Sequence, residues 1–382
     1  TLEKKKILYN LWTNLMSTKK DNFSVKDKFY MELALDLAKA RQGHTGTNPS
    51  VGCLIVKNDK IISIGQTSIN GRPHAELNAI KNCPENLNGS TMYVTLEPCC
   101  HYGKTAPCTS SIIKSKIAKV IYSVKDIDKR VNGKSKKILT EKKIITKSGL
   151  LNHKIKQFYL PYFYNKTKEL PYVTGKIAIS KNNLIYSKSH KRITNKHSDK
   201  LTHLLRYKND SIMITSKTAN IDNPKLNCRL KKLKFIPKRI ILDNQLNLNT
   251  SSYLFKTAIK DKTVVFYNKA DKKKINKFKK NKIDLIKTKI YKHRKFVVIN
   301  ILKKLYKLGL RNILIEGGDE LTKYLIKNKL FNQFYLFKSP KILSKTTKYK
   351  EFTSLKSLKK NYKYNEILKS NFGKDLVTLY KK

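Results

Sequence analysis

One histidine, one glutamate and two cysteines stand at spacings that suit a metal-dependent hydrolytic site. His74 and Glu76 are separated by one residue, and Cys99 and Cys108 are each preceded by a proline at the two ends of one loop. One nitrogen and two sulfur ligands would leave the fourth tetrahedral position of a zinc ion for water, as a catalytic site requires. Glu76 could then carry a proton from that water to a leaving group without binding the metal.

Taken singly, each of these residues has a simpler interpretation, as a core or surface histidine or as a small buried cysteine. Together they favour a zinc site, because a His-x-Glu followed by Pro-Cys is the signature of zinc-dependent base deaminases. Cys100 is left out of the ligand set, since its side chain must point away from that of its neighbour Cys99. We expect Cys53 and Cys83 to be packing residues, and Cys228 lies in the other half of the chain.

The elements that must position these residues alternate between helices and strands. Apolar spacing predicts helices over residues 29–43, 74–80 and 112–117, a hairpin of strands 51–56 and 61–64, and strands at 91–96 and 120–124. Such an alternation indicates an α/β sandwich.

A second α/β unit is predicted after a linker at residues 159–171, where the periodicity lapses and prolines bracket polar residues. Buried strands are predicted at 172–179, 211–215, 239–242, 264–267 and 312–315. The sequence Glu316-Gly317-Gly318-Asp319 then has the form of a strand end, a glycine turn and a helix start. That form suits a phosphate, or it is only a tight connection.

Composition narrows the class of protein. The chain has 382 residues, of which 40% are hydrophobic, enough for two domains with their own cores. Six cysteines in such a length do not form a secreted disulfide framework, so we expect a reducing, cytoplasmic compartment. No run of about 18 apolar residues predicts a membrane span, and no membrane partner is expected. Residues 1–24 are treated as an N-terminal extension of unknown role.

The formal charge of +57, from 83 Lys and Arg against 26 Asp and Glu, has two interpretations. It can indicate a polyanionic partner, because basic side chains that neutralise phosphates release counterions. It can also be compositional drift, because lysine is spread along the whole chain rather than concentrated on one segment. We favour drift and expect no specific nucleic-acid partner.

Three segments of the first half resemble the RibD family of bifunctional riboflavin biosynthesis proteins. They are residues 47–52 (TNPSVG), 71–76 (GRPHAE) and 94–108 (VTLEPCCHYGKTAPC). The wide spacing of the cysteines separates this family from deaminases that carry Pro-Cys-x-x-Cys. The resemblance implies that Asn48, Lys104 and Thr105 hold the pyrimidine and its ribose phosphate. Cys100 and Ala106 stand where the family usually has serine and proline.

Four segments of the second half resemble the reductase half of the same family, which is related to dihydrofolate reductase. They are residues 203–206, 210–218, 221–229 and 315–318. The implied fold is a cytidine-deaminase-like three-layer sandwich over residues 25–169, followed by a dihydrofolate-reductase-like α/β domain over residues 170–382. The implied activities are deamination of a diaminohydroxyphosphoribosylaminopyrimidine with one zinc ion, then reduction by NADPH of the product's ribose to a ribityl chain.

The resemblance also assigns residues to the second site. Those implied to hold NADPH are Ala178, Arg192, Thr218, Asp222, Gly318, Asp319, Glu320 and Leu321. Those implied to hold the substrate are His190, Arg206, Leu226, Arg229 and Glu316. The expected partner is a small phosphoribosyl pyrimidine, and we expect a homo-oligomer.

The second half departs from the family pattern at several positions. The family's Lys-x-x-x-Ser-x-Asp-Gly ends here in Asn182-Asn183, and its Ser-x-Trp-Ile-Thr begins with His190 and has Arg192 in place of the tryptophan. Lys217 replaces the glycine before Thr218. One alternative is therefore a deaminase whose second domain is degraded or structural, although retention of the substrate residues favours activity. Another is an RNA-binding base deaminase, which the charge favours and the cysteine spacing disfavours.

Overall fold

A computed structural model describes residues 23–188, 192–230, 233–291, 295–346 and 348–382. The chain divides into two compact units. Of the described residues, the first unit holds those up to Arg41 together with Ser50–Ser68 and Arg72–Phe158, and the second holds those of Gln42–Pro49, Ile69–Gly71 and Tyr159–Lys382. Among the residues described, no helix has both the length and the apolar character needed to cross a bilayer.

The first unit is built on a five-stranded sheet in the order β2-β1-β3-β4-β5. Strands β1 and β2 form a hairpin, β1 runs antiparallel to β3, and the pairs β3–β4 and β4–β5 are parallel. The strands are β1 Gly52–Lys57, β2 Lys60–Gln66, β3 Thr91–Leu96, β4 Lys119–Val124 and β5 Ile145–Ser148. The helices are α1 Val25–Ala40, α2 Ala75–Lys81, α3 Cys108–Lys114, α4 Lys134–Glu141 and the first part of α5 Asn152–Lys168.

Two glycines show that this unit has three layers. Gly65 is paired with Cys53, so it faces the same side of the sheet as Cys53, and Gly52 faces the other side. A Cβ on Gly52 would lie 1.8 Å from the carbonyl oxygen of Ala34 in α1, and one on Gly65 would lie 2.1 Å from that of Ala75 in α2. The two helices therefore cover opposite faces at close approach, which confirms the predicted sandwich.

The second unit is built on a nine-stranded sheet in the order β13-β12-β11-β8-β16-β6-β17-β20-β19. Each neighbouring pair from β13 to β17 along this order is parallel. Strands β20 and β19 pair antiparallel at the edge beyond β17. The strands are β6 Tyr172–Ile179, β8 Ser211–Thr215, β11 Lys238–Leu242, β12 Thr263–Tyr267, β13 Asp284–Lys287, β16 Asn312–Ile315, β17 Gln333–Lys338, β19 Tyr364–Ile367 and β20 Leu376–Lys381.

Helices and short strand pairs complete the second unit. The helices are α6 Lys196–Tyr207, α7 Ser216–Asp222, α8 Tyr253–Lys256, α9 Lys272–Lys280, α10 Val298–Lys307, α11 Asp319–Lys327 and α12 Leu355–Asn361. Three two-stranded sheets pair β7 Leu184–Ser187 with β18 Tyr349–Glu351, β9 Cys228–Leu230 with β10 Leu233–Phe235, and β14 Ile290–Tyr291 with β15 Lys295–Phe296.

The large sheet has a hydrophobic core on each face. Along β16, Ile313 and Ile315 pack into one core and Leu314 packs into the other. Side chains of successive strand residues alternate between faces, so a strand buried on both sides is largely apolar. All five strands predicted as buried for this half are confirmed.

The predicted linker at residues 159–171 is wrong. Helix α5 continues through Pro161 to Lys168, although a proline inside a helix costs about 3 kcal/mol. Packing supplies the compensation, because Tyr159 is fully buried and its ring lies 6.0 Å from that of Phe163. The side-chain amide of Asn165 also donates to the carbonyl oxygen of Leu170, at 2.9 Å, just beyond the helix end.

The helix predicted at residues 112–117 is displaced toward the N-terminus. It begins at Cys108, directly after Pro107, and ends at Lys114. Lys116 has a positive φ of 55°, a left-handed conformation that cannot continue a helix. The other elements predicted for this half are confirmed, with boundaries that shift by a few residues.

We expect Gly52→Ala to destabilise the first unit strongly, because its methyl group would overlap backbone atoms of α1. Overpacking of this kind costs about 1–3 kcal/mol or more. Gly89→Ala is the matched comparison, since Gly89 has a φ of 79° and open space around it, so only the backbone cost of about 1–2 kcal/mol applies. Denaturant unfolding of both variants tests the idea, and an equal loss for both would contradict the close approach.

Candidate active sites

Three different elements bring the predicted metal ligands to one point. His74 is the N-cap residue of α2, Cys99 follows the end of β3, and Cys108 is the first residue of α3. The Nδ1 atom of His74 lies 3.6 Å from Sγ of Cys99 and 3.4 Å from Sγ of Cys108. All three ligand atoms lie within 4.8 Å of one another, close enough to share one ion.

The chemistry of this group fits zinc. The Cys108 thiol, the His74 ring and the Cys108 backbone N–H donate hydrogen bonds to Cys99, and they lower its pKa to about 4 despite its partial burial. The backbone N–H of Cys108 lies 3.3 Å from Sγ of Cys99. Cys99 is therefore a thiolate at neutral pH, and thiolate with imidazole is a donor set that zinc prefers.

Glu76 lies beside the ligands but does not belong to the group of three. It is in the first turn of α2 and only 4% exposed. Burial raises the pKa of its carboxyl group, and the nearby His74 partly opposes the rise. A carboxyl group whose pKa moves toward neutral is suited to take up and release a proton.

The loop between the two cysteines carries Lys104 and Thr105, which the sequence assigned to the substrate. Arg72, which was not predicted as a site residue, contacts this loop. Its Nη1 donates a hydrogen bond to Oγ1 of Thr105 at 2.6 Å. Arg72 could have been proposed from the sequence, because it lies two residues before the predicted ligand His74.

Asn48 lies in the segment Gln42–Pro49, which is part of the second unit. Its side-chain amide donates to the carbonyl oxygen of Gly71 at 2.8 Å, within the same unit. The assignment of Asn48 to the pyrimidine stays a prediction.

The second unit has a cavity of about 320 Å³ at the carboxyl ends of β6, β8 and β16. Ligands of open α/β sheets bind at this edge. Six of the residues assigned to the second site line it, namely Ala178, Arg192, Thr218, Asp222, Glu316 and Gly318.

Glu316, which lines this cavity, belongs to a largely buried ion pair with Arg206. Nε and Nη2 of Arg206 donate to the two carboxylate oxygens of Glu316, both at 2.7 Å. Burial raises the pKa of Glu316, but the charge and hydrogen bonds of Arg206, together with the charge of Lys176, outweigh burial and hold that pKa below its ordinary value. The pair therefore stays charged, and the bidentate geometry fixes the orientation of both side chains.

The loop that follows α7 is tied to this ion pair through the carbonyl oxygen of Asn227. Nη1 of Arg206 donates to it at 3.2 Å, and Nδ1 of His203 lies 3.1 Å from it. Arg229 donates to the side-chain oxygen of the same Asn227. The side chain of Leu226 is buried in a hydrophobic core, so a contact of Leu226 with substrate would involve its backbone.

Two lysines that sequence reasoning did not assign to the site, Lys176 and Lys350, also line this cavity. Lys176 on β6 has a lowered pKa because it is buried, although the charge of Glu316 partly opposes this. Its Nζ also lies 5.0 Å above the ring of Phe337. The signal for Lys176 was a lone lysine in an apolar strand.

The remaining residues assigned to the second site lie outside the described residues, have other partners or line a different cavity. His190 lies outside the described residues. Arg192, although it lines the cavity, forms an ion pair with Asp199. Asp319 accepts hydrogen bonds from the N–H and hydroxyl of Thr353 at 3.2 and 2.9 Å. Glu320 and Leu321 line a second cavity of about 240 Å³.

Two family models match the chain. The model described as cytidine and deoxycytidylate deaminase zinc-binding region matches residues 24–124, and the RibD C-terminal domain model matches residues 171–374. The first match spans the His74, Cys99 and Cys108 group, and the second spans the residues of the larger cavity.

Similar proteins cover both halves. The riboflavin biosynthesis protein RibD of Aquifex aeolicus is 33% identical over 358 residues, which is 93% of this chain and 98% of that protein. RibD of Actinobacillus pleuropneumoniae is 33% identical over 322 residues, or 84% and 85% of the two chains. The solved structure of a diaminohydroxyphosphoribosylaminopyrimidine deaminase/5-amino-6-(5-phosphoribosylamino)uracil reductase from Thermotoga maritima is 27% identical, with a TM-score of 0.79 over 93% of this chain and 98% of that one.

We expect the purified protein to contain one zinc ion per chain and Cys108→Ala to lose it, because two ligands cannot replace three. Cys100→Ala is the matched control, since Cys100 neighbours Cys99 but is not in the ligand group. Metal content by atomic absorption tests this. Zinc loss in the Cys100 variant, or retention in the Cys108 variant, would contradict the assignment.

Proposed function

The chain belongs to the RibD family of riboflavin biosynthesis proteins, and from that premise we propose which residues carry each of its two reactions. It is a bifunctional enzyme, with a zinc-binding deaminase domain and an NADPH-dependent reductase domain. The match to the RibD C-terminal domain argues against the alternative of a deaminase alone. Its substrate is a small molecule of riboflavin biosynthesis, which we propose to be a diaminohydroxyphosphoribosylaminopyrimidine.

The deamination centres on Glu76. A zinc ion held by His74, Cys99 and Cys108 supplies the polarisation that makes water nucleophilic near neutral pH. Glu76 accepts a proton from the attacking water at a carboxylate oxygen and transfers it to the amine, which leaves as ammonia. The raised pKa of this buried carboxyl group supports the role.

The substrate phosphate of this first reaction is assigned to the loop between the cysteines. Lys104 and Thr105 lie there, and the Arg72 guanidinium bonded to Thr105 adds a second positive charge. A lysine and an arginine beside a hydroxyl group suit a phosphate monoester. Asn48 is proposed to bind the pyrimidine.

The reduction takes place in the larger cavity of the second unit. When bound in this cavity, NADPH would supply the hydride that reduces the ribose carbon of the aminouracil. Ring opening also requires a proton, and the Nζ of Lys176 can release one because its pKa is lowered. We assign substrate binding to Arg206, Arg229 and Glu316, with Leu226 through its backbone and His190 by motif alone.

The cofactor residues follow the order of the family motif. Ala178, Arg192, Thr218, Asp222 and Gly318 line the cavity, which supports their assignment to NADPH. Asp319, Glu320 and Leu321 continue from Gly318 into α11, whose N-terminal backbone N–H groups suit a phosphate.

The domain boundaries remain proposals. A deaminase domain over residues 25–169 and a reductase domain over residues 170–382 are supported by the spans of the two family models. The compact units break earlier, within α5 after Phe158. Assembly as a homo-oligomer, a cytoplasmic location and the absence of a specific nucleic-acid partner stay predictions from the sequence.

One observation carries the proposal, namely that each unit holds a separate group of convergent, partly buried ionisable residues. Its test is mass spectrometry of the products formed from the pyrimidine ribosylphosphate, with and without NADPH. We expect exchange of an amine for oxygen without NADPH, and further gain of two hydrogens with it. Exchange unchanged by NADPH would overturn the reductase assignment.

We expect Glu76→Gln to retain zinc and to lose deamination by at least about a hundredfold, because general acid–base catalysis contributes about 10²–10⁴-fold. The same variant, given the deaminated substrate and NADPH, should reduce it at the normal rate. Loss of zinc together with activity would show that Glu76 supports the metal instead.

We expect Glu316→Gln to slow reduction about tenfold or more, because Arg206 would lose a buried charged partner worth about 1.5–3 kcal/mol. Deamination by this variant should be unchanged. Glu366→Gln is the control, since Glu366 pairs with Lys381 near the surface at the sheet edge. Steady-state rates of both reactions test this, and parallel loss of both would contradict two independent sites.

A further inference from the structure

A second cavity lies next to the larger one in the reductase unit. It has a volume of about 240 Å³, and its lining combines apolar side chains such as Leu242, Phe296 and Tyr324 with one ion pair. That pair joins Nζ of Lys217 to Oε1 of Glu320 at 3.1 Å.

The two cavities are bounded by the same two turns of chain. At the start of α7, Thr218 lines the larger cavity and its neighbour Lys217 lines the smaller one. At the start of α11, Gly318 lines the larger cavity and Glu320 the smaller one. A dinucleotide whose nicotinamide occupies the larger cavity would therefore bring its phosphates alongside these turns.

At these turns the ammonium group of Lys217 has two possible partners, the carboxylate of Glu320 and a phosphate of a bound cofactor. Glu320 is a carboxylate that would repel a phosphate, and the ammonium of Lys217 now pairs with it. Both side chains are largely exposed, at 64% and 81%, so their mutual attraction is weak. A phosphate dianion binds a lysine more strongly than an exposed carboxylate does.

We propose that Lys217 binds a phosphate of NADPH in exchange for Glu320, and that Glu320 opposes cofactor binding. The proposal rests on the reductase function proposed above. The phosphate is either the 2′-phosphate, a dianionic monoester, or the pyrophosphate, whose two phosphates each carry one charge; either offers anionic oxygens to a lysine.

The test is fluorescence titration of the protein with NADPH and with NADH. We expect Lys217→Gln to weaken NADPH binding about tenfold, because a charge-assisted hydrogen bond is lost. Glu320→Gln should do the opposite and tighten it about threefold. Lys217→Arg should restore most of the affinity, and Lys273→Gln, an exposed lysine of α9, should leave it unchanged.

The NADH titration identifies the phosphate. If Lys217 contacts the 2′-phosphate, Lys217→Gln leaves NADH affinity unchanged, and if it contacts the pyrophosphate, both cofactors lose affinity equally. Weaker NADPH binding in both the Lys217 and Glu320 variants would overturn the proposal and make the pair structural, and so would no change in either. If the unaltered protein bound neither cofactor, the reductase function itself would fail.

Discussion

Parallel pairing of strands determines where chemistry can occur in both halves of this protein. A parallel connection must cross back over the sheet, usually through a helix, so a strand end and a helix start meet at one edge. In the first unit, Cys99 follows β3 and Cys108 opens α3, the crossover to the parallel strand β4. Both sulfur ligands therefore belong to a single connection.

The second unit repeats this arrangement twice on its larger sheet. Strand β8 leads into α7 and strand β16 leads into α11, and β8 and β16 are adjacent and parallel. Thr218 and Gly318 are thus placed side by side at the sheet edge by topology. Residues a hundred positions apart in the sequence come to line one cavity without any local motif that spans them.

Two buried glutamates show how environment separates their roles. Both carboxylate oxygens of Glu316 accept hydrogen bonds from Arg206, and the pKa of Glu316 is held below its ordinary value. Glu76 lies in the first unit, where burial raises its pKa. The same side chain is therefore kept charged in one site, where it positions a guanidinium, and able to hold a proton in the other.

The sequence predicts those features that depend on neighbouring residues. The ligand motif, the hairpin and the two-sided apolar strands are local patterns, and the structure has each of them. Helix α5 was not predicted, because the sequence pattern treats Pro161 as a break, whereas in the folded chain Tyr159 is buried and packs against Phe163 within the same helix. Arg72 and Lys176 were missed for another reason. Their significance depends on Thr105 and Glu316, which are distant in the sequence.

The lysines of this chain differ according to whether they lie on the open surface or line a cavity. In α9 the lysines occupy mainly exposed positions while Phe278 is buried, so they change the surface and leave the packing intact. A cation that enters the core comes with partners, as Arg239 does with Asp261 and Thr257. The interpretation of the overall charge as compositional drift stays a prediction. Lys176, Lys217 and Lys350 differ because they line cavities, where a positive charge affects any anion that binds. Burial lowers the pKa of Lys176 and Lys350, whereas Lys217 is largely exposed.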